Sequence, residues 1–170
     1  MENRLQALYW AELVQLKVSC EYIRRYRDSL GAWVTRFAVI RAVVSVSALG
    51  TWAAVKAYPM VWGGIIAAAQ VADALQSAVP FSARFRSTNA LLVALEALLI
   101  DCQMEWEDIY AGRLDENEIN KRRHAMMKLR HEAEVKNLPN GLPVRSKLFR
   151  LAEDDAAAYF RNTDQTGGVE

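Results

Sequence analysis

The 170-residue chain has only two cysteines, Cys20 and Cys102, four prolines and two histidines. The cysteines lie far apart, with no Cys-x-x-Cys or Cys/His spacing. That excludes a disulfide framework and a zinc-finger type of site, and leaves both thiols as small apolar packing groups in a reducing compartment. Net charge is scarce too: 21 Lys and Arg against 20 Asp and Glu give +1. The broad basic face expected of a nucleic-acid-binding protein is therefore missing. The opening MENRLQALYWAELVQLK lacks a basic stretch, an unbroken apolar run and a small-residue cleavage site, so it does not read as a secretory leader. No strand pattern, Gly-rich phosphate loop or nucleophile elbow occurs, and no second histidine completes a protease motif at His131-Glu132. With no catalytic constellation, metal set or cofactor motif, the chain is not expected to be an enzyme.

Long apolar runs are short as well. The chain is 52% hydrophobic, and its mean hydropathy of −0.04 averages an apolar middle with polar ends. The middle is the stretch from Phe37 to Pro80, two segments facing each other across a turn at Ala57-Tyr58-Pro59. The first is uncharged only from Ala42 to Val55, a helical rise of roughly 21 Å. Counted from Phe37 to Ala57 it spans roughly 30 Å of hydrocarbon, provided Arg41 and Lys56 reach back to the headgroups. The second, Met60 to Pro80, carries Asp73 and Gln76 in its far half. A carboxylate near the bilayer centre costs roughly 2.5 to 3.5 kcal/mol, so this helix needs protein or water on its polar side.

Small residues recur every four positions, Gly50 with Ala54 and Gly64 with Ala68 and Ala72, the spacing that lets helices approach closely in lipid. The same residues would serve a water-soluble bundle with fully buried central helices. Charge placement favours the membrane. Arg24, Arg25, Arg27 and Arg36 precede the hairpin and Arg84 and Arg86 follow it, whereas the turn offers only Lys56. The positive-inside tendency then puts both termini in the cytoplasm, with these arginines at the headgroups. Trp33, Trp52, Tyr58 and Trp62 flank the segments as an aromatic belt would.

The flanks read as helices. Leu5, Leu8, Tyr9, Leu13, Leu16, Cys20, Ile23 and Tyr26 form one apolar side of a helix from Glu2 to Ser29, and Gly31 is expected to break it. A third apolar helix begins at Asn89, with Leu91, Leu92, Leu95, Leu98, Leu99, Cys102, Trp106 and Ile109 on one stripe. Glu96 and Asp101 make it a packing helix, partner of the first, rather than another span. Gly112 stops it, and Asp115 with Glu118 opens the next helix as a capping box. That helix, Glu116 to Lys136, is highly charged, with Ile119, Met126, Met127, Leu129 and Ala133 on a thin apolar side. His124 and His131 share its surface without a third metal ligand. LPNGLP at 138–143 is a turn before a last helix, Ser146 to Arg161, whose apolar side holds Leu148, Leu151, Ala152, Tyr159 and Phe160. The expected fold class is all-α, one domain over 1–170: an amphipathic helix in 1–30, the hairpin 37–80, cytoplasmic helices across 84–162 and a loose tail 163–170.

In order, LYWAEL and EYIRRYR in the first helix, a small-residue hairpin, EWEDIYAG in an acidic-aromatic helix and LPNGLP before a final helix give a layout that resembles the SLATT family over most of the chain. Members of that family are two-transmembrane helical proteins found with bacterial nucleotide-second-messenger conflict systems, proposed to act as membrane-disrupting or pore-forming effectors. The resemblance implies a bacterial inner-membrane location, a homo-oligomer, the lipid bilayer as partner and a nucleotide-signalling protein as a second one. It also implies association through Gly50, Ala54, Gly64, Ala68 and Ala72, with Gln70, Asp73 and Gln76 lining a lumen. At 100° per residue, Asp73 lies about 60° and Gln76 about 120° around the helix from Gln70, one broad side. Asp73 paired with Arg41, Lys56 or a neighbouring protomer remains the alternative. A different class also stays open: a cytoplasmic all-helical interaction protein that docks partners on Glu116 to Lys136.

Overall fold

The computed structural model describes residues 4–50, 60, 63, 64, 67, 70, 71, 74 and 81–166, with side chains described except at 40, 41, 43–50 and 163–166. Among the described residues there are helices and no strands. Four long helices follow one another: α1 (Arg4–Gly50), α2 (Phe81–Tyr110), α3 (Glu116–Asn137) and α4 (Ser146–Thr166). Positions 60, 63, 64, 67, 70, 71 and 74 are helical as well.

Local chemistry sets the ends of α2 and α3. After Tyr110 the chain turns with Gly112 at φ +69°, a left-handed conformation that costs glycine least. The Arg113 N–H donates to the Asp108 carbonyl at 3.0 Å and the Gly112 N–H to the Ile109 carbonyl at 3.1 Å, so the last carbonyls of α2 are satisfied as in a Schellman ending. Asp115 then caps α3, its Oδ1 accepting from the Glu118 N–H at 2.7 Å. The turn after α3 closes with the Gly141 N–H on the Leu138 carbonyl at 2.8 Å, Gly141 lying at φ +67°.

Three helix boundaries differ from the sequence expectation. Gly31 does not break α1, which runs on to Gly50. One glycine inside a helix costs only about 1 kcal/mol relative to alanine, and here it serves packing: a Cβ at Gly31 would stand 3.2 Å from the Phe85 ring. Helix α2 starts at Phe81 rather than Asn89; Ser87 and Thr88 are tolerated inside it, and Thr88 is buried. Helix α4 continues through Thr166, past Arg161, so positions 163–166 of the expected loose tail are helical.

The described chain forms two compact units, 1–27 with 87–170, and 28–86. The first has a dense apolar core. Tyr9, Leu13, Leu16, Cys20 and Ile23 of α1 meet Leu91, Leu92, Leu95, Leu98, Leu99, Cys102 and Ile109 of α2, and Ile119, Met126, Ala152 and Ala156 close the cluster from α3 and α4. Side chains of this size stabilise by roughly 1.5 to 3 kcal/mol each when taken fully out of water. The apolar stripes expected of α1 and α2 are thus the core faces, with Trp106 packed at the margin. On α3 and α4, Met127, Leu129, Leu151 and Tyr159 lie exposed instead.

The first unit also buries α1 more completely than a one-sided helix requires. Leu16, Lys17, Val18, Cys20, Glu21, Tyr22 and Ile23 are all buried, so this part of α1 is the central rod. Helix α4 covers a further side of α1: Trp10 meets Phe160 with ring centroids 4.8 Å apart, and Tyr22 meets Phe149 at 6.1 Å. In the second unit Leu30 is buried, Phe37 stacks on Phe81 at 5.8 Å and meets Trp33 at a tilt, 6.0 Å between ring centroids.

Candidate membrane-facing site

The first unit combines a packed core with exposed apolar residues such as Val93, Ile100 and Met104. In the second, no described side chain between 31 and 74 is buried. Val39 is 56% exposed, Val71 59% and Met60 93%, and Ala32, Ala38, Ala67 and Ala74 are exposed with them. Water solvates exposed apolar side chains poorly, and where they join into a patch they mark contact with lipid or with other protein.

Positions 60, 63, 64, 67, 70, 71 and 74 are each helical and exposed. Gln70 is the polar residue among them. A Cβ built at Gly64 meets nothing within 4 Å. Gly50 is the last residue of α1. Ala54, Ala68, Ala72, Asp73 and Gln76 lie outside the described residues, as do the turn at 57–59, Lys56, Trp52 and Trp62. Of the expected lumen set, Gln70 alone is among the described residues, where it is exposed.

The six arginines expected at headgroups divide sharply. Arg24 donates to both carboxylate oxygens of Glu21 at 2.8 and 2.7 Å and to Glu96 on α2 at 2.6 Å. The hydrogen bond to Glu96, partly opposed by burial, raises the Arg24 guanidinium above its ordinary value. Arg25 reaches Asp155 on α4 at 2.6 Å, and Arg27 donates to Asn89 at 3.3 Å. These three tie α1 to its neighbours. Arg36 lies over the Trp33 ring at 5.4 Å, an arrangement suited to an interface where an aromatic body and a cation share one depth. Arg84 is half-buried and Arg86 exposed.

One feature of the first unit was not read from the sequence. Lys17 and Glu21, each 7% exposed, form an ion pair at 2.8 Å, and Lys17 also sits 3.9 Å above the Tyr159 ring. Spaced four apart on an amphipathic helix, they resemble an ordinary solvated pair. The available signal was weak: Leu16, Val18, Cys20, Tyr22 and Ile23 spread apolar side chains over about 200° of the helix, wider than one neighbour needs, but leave the sector of Lys17 and Glu21 polar.

The first unit also holds a recess of about 330 Å³ lined by Ile23, Leu91, Leu138, Leu142 and Phe149, with Arg130 and Glu134 on its wall. Tyr22 anchors the loop beside it, donating to the Pro143 carbonyl at 2.6 Å and accepting from the Arg145 N–H at 3.1 Å. Arg130 already pairs with Glu134 at 3.1 Å. Both cysteines are buried, and burial pushes the Cys20 thiol up to about 12. Tyr9 donates to Glu105 at 2.8 Å, and burial raises its phenol too. Among the described residues no group of three His, Cys, Asp or Glu side chains is arranged to hold a metal ion, and His124 and His131 are exposed.

Among the described residues α2 is the one helix long and apolar enough to cross a membrane, and 39% of its most apolar stretch is buried inside the chain. The core helix of a folded unit meets the same criterion: Leu91, Leu92, Leu95, Leu98 and Leu99 of α2 belong to the core, while Val93, Ile100 and Met104 are exposed. Comparison with protein-family models, curated proteins and solved structures gives no match to the chain.

Proposed function

We propose that this chain is a membrane-associated helical effector that oligomerises and permeabilises a bacterial inner membrane, with 37–80 as its membrane hairpin and the first unit in the cytoplasm. The observation that supports it is the exposure of described apolar side chains in the second unit, Val39, Met60 and Val71 above all, where no described side chain between 31 and 74 is buried. Large apolar side chains exposed at these positions call for a second, apolar environment. The layout shared with SLATT proteins supports the effector role. In this reading Gln70, Asp73 and Gln76 turn toward a shared lumen, and a ring of Asp73 carboxylates selects cations.

The test is fractionation of cells expressing the chain, followed by a carbonate wash. Retention in the washed membrane, with growth arrest and depolarisation on induction, is expected. Asp73→Asn should then reduce cation conductance; unchanged conductance removes the lumen while sparing the hairpin. Recovery of the whole chain in the cytosolic fraction overturns the proposal. It would favour a docking protein instead, a reading supported by the exposed Met127, Leu129 and Val135 among the charges of α3.

A further inference from the structure

The turn between α3 and α4 carries an asparagine–glycine pair, Asn140 and Gly141, to which the membrane reading gives no role. Of the seven asparagines in the chain, Asn140 is the one followed by glycine. Among the described residues it is also the one outside a helix, since Asn89, Asn117, Asn120, Asn137 and Asn162 are all helical. Asn140 and Gly141 are exposed, and a Cβ built at Gly141 meets nothing within 4 Å, so the peptide link between them is open to solvent. Inside a helix the N–H that follows an asparagine is held by a carbonyl one turn back. Asn137 is tied further, its side-chain amide donating to the Ala133 carbonyl at 2.8 Å. Around Asn140 one backbone hydrogen bond closes the turn, from the Gly141 N–H to the Leu138 carbonyl at 2.8 Å.

We infer that Asn140 is a site of spontaneous deamidation, and that its isoaspartate product releases the following loop from Tyr22. When the turn opens, the Gly141 nitrogen loses its proton to solvent base and attacks the side-chain carbonyl carbon of Asn140. A C–N bond forms, closing a cyclic imide, and the side-chain nitrogen takes a proton from solvent and leaves as ammonia. Water then opens the ring at either carbonyl. Opening at the side-chain carbonyl gives aspartate, and opening at the backbone carbonyl gives isoaspartate, with the chain rerouted through the former side chain. Glycine suits the attack because it has no side chain to crowd its nitrogen. Isoaspartate adds one carbon to the backbone, about 1.5 Å, three residues before Pro143. Tyr22 holds the Pro143 carbonyl at 2.6 Å and the Arg145 N–H at 3.1 Å, and hydrogen bonds of such length are lost on a displacement of that size. None of this depends on whether 37–80 enters a membrane.

The test ages the full chain at mildly alkaline pH, in detergent if extraction requires it, then unfolds it and digests it with trypsin. Cleavage after Lys136 and Arg145 yields one peptide, 137–145, in which Asn137 is an internal control for Asn140. Fragment masses should place the amide-to-acid change on Asn140 and not on Asn137. The folded chain should react more slowly than the same chain aged unfolded in guanidinium, by up to about tenfold, the factor that one backbone hydrogen bond supports. Release of the loop is read by brief trypsin treatment of the folded chain, since Arg145 and Ser146 are exposed. Cutting there should be faster in aged chains than in fresh ones. Fresh Tyr22→Phe, which lacks the anchoring hydroxyl, should be cut faster than fresh wild type, and Asn140→Gln should keep its fresh rate after ageing. No change at Asn140 while the unfolded chain converts overturns the inference, as does an equal change at Asn137. Equal cutting of aged and fresh chains, or of Tyr22→Phe and wild type, overturns the release of the loop.

Discussion

Lys17 and Glu21 show how much a single position depends on what surrounds it. Breaking a buried pair from one side strands the other charge, so Glu21→Gln should cost about 3 to 5 kcal/mol, read as a lower urea midpoint. Replacing both partners with apolar residues of similar size should cost far less, because the desolvation of two ions disappears along with their attraction. Equal losses in the two variants would rule out this account. Cys20 sets a pH dependence. Its thiol, ordinarily near 9.0, is raised by burial to about 12, so the folded chain keeps a proton that the unfolded chain releases. The associated stability is complete below pH 9 and is lost as pH rises toward 12. Cys20→Ala should flatten that part of the alkaline decline in midpoint, and an unaltered slope would remove the thiol as its cause.

At the scale of elements, the boundaries decided by neighbouring residues were legible in the sequence, and those decided by packing were not. Gly112 and the Asp115 cap act through hydrogen bonds within a few residues, and both are readable from spacing. Asp115→Ala should cost about 1 kcal/mol and Gly112→Ala about 1 kcal/mol or more, since alanine disfavours a left-handed backbone; thermal unfolding measures both. Gly31 carries the same letter as Gly112 but meets Phe85 from another helix, which nothing adjacent to it announces. The buried stripes of α1 and α2 followed from periodicity because one partner covers each stripe. The second covering of α1 by α4 did not, because Arg25 and Asp155 are 130 positions apart. For the candidate site, the arginines were visible as a cluster, but their commitment to Glu21, Glu96, Asp155 and Asn89 requires the folded unit.

At the scale of the molecule, the two units should respond differently to the same kind of change. Val39→Glu combined with Val71→Glu adds charge where apolar side chains are exposed, at roughly 2.5 to 3.5 kcal/mol each if the positions lie deep in lipid. The expected result is a shift of protein from the washed membrane to the cytosolic fraction, with the urea midpoint of the first unit unchanged because its core holds neither residue. A midpoint that fell in parallel would mean that these valines support the core. The pairings that close the first unit also have a consequence in time. Tyr9 waits for Cys102 and Glu105, Tyr22 for Pro143, and Arg25 for Asp155, 130 residues later. At a synthesis rate of roughly 5 to 20 residues per second, that separation is roughly 6 to 26 seconds on the ribosome. For the earlier part of that interval, until α2 is made, the apolar side of α1 has no partner, while residues 37–80 have already been synthesised. Nascent chains must therefore be shielded or delivered to their destination before the first unit can close, and the order of translation favours the hairpin reaching its environment first.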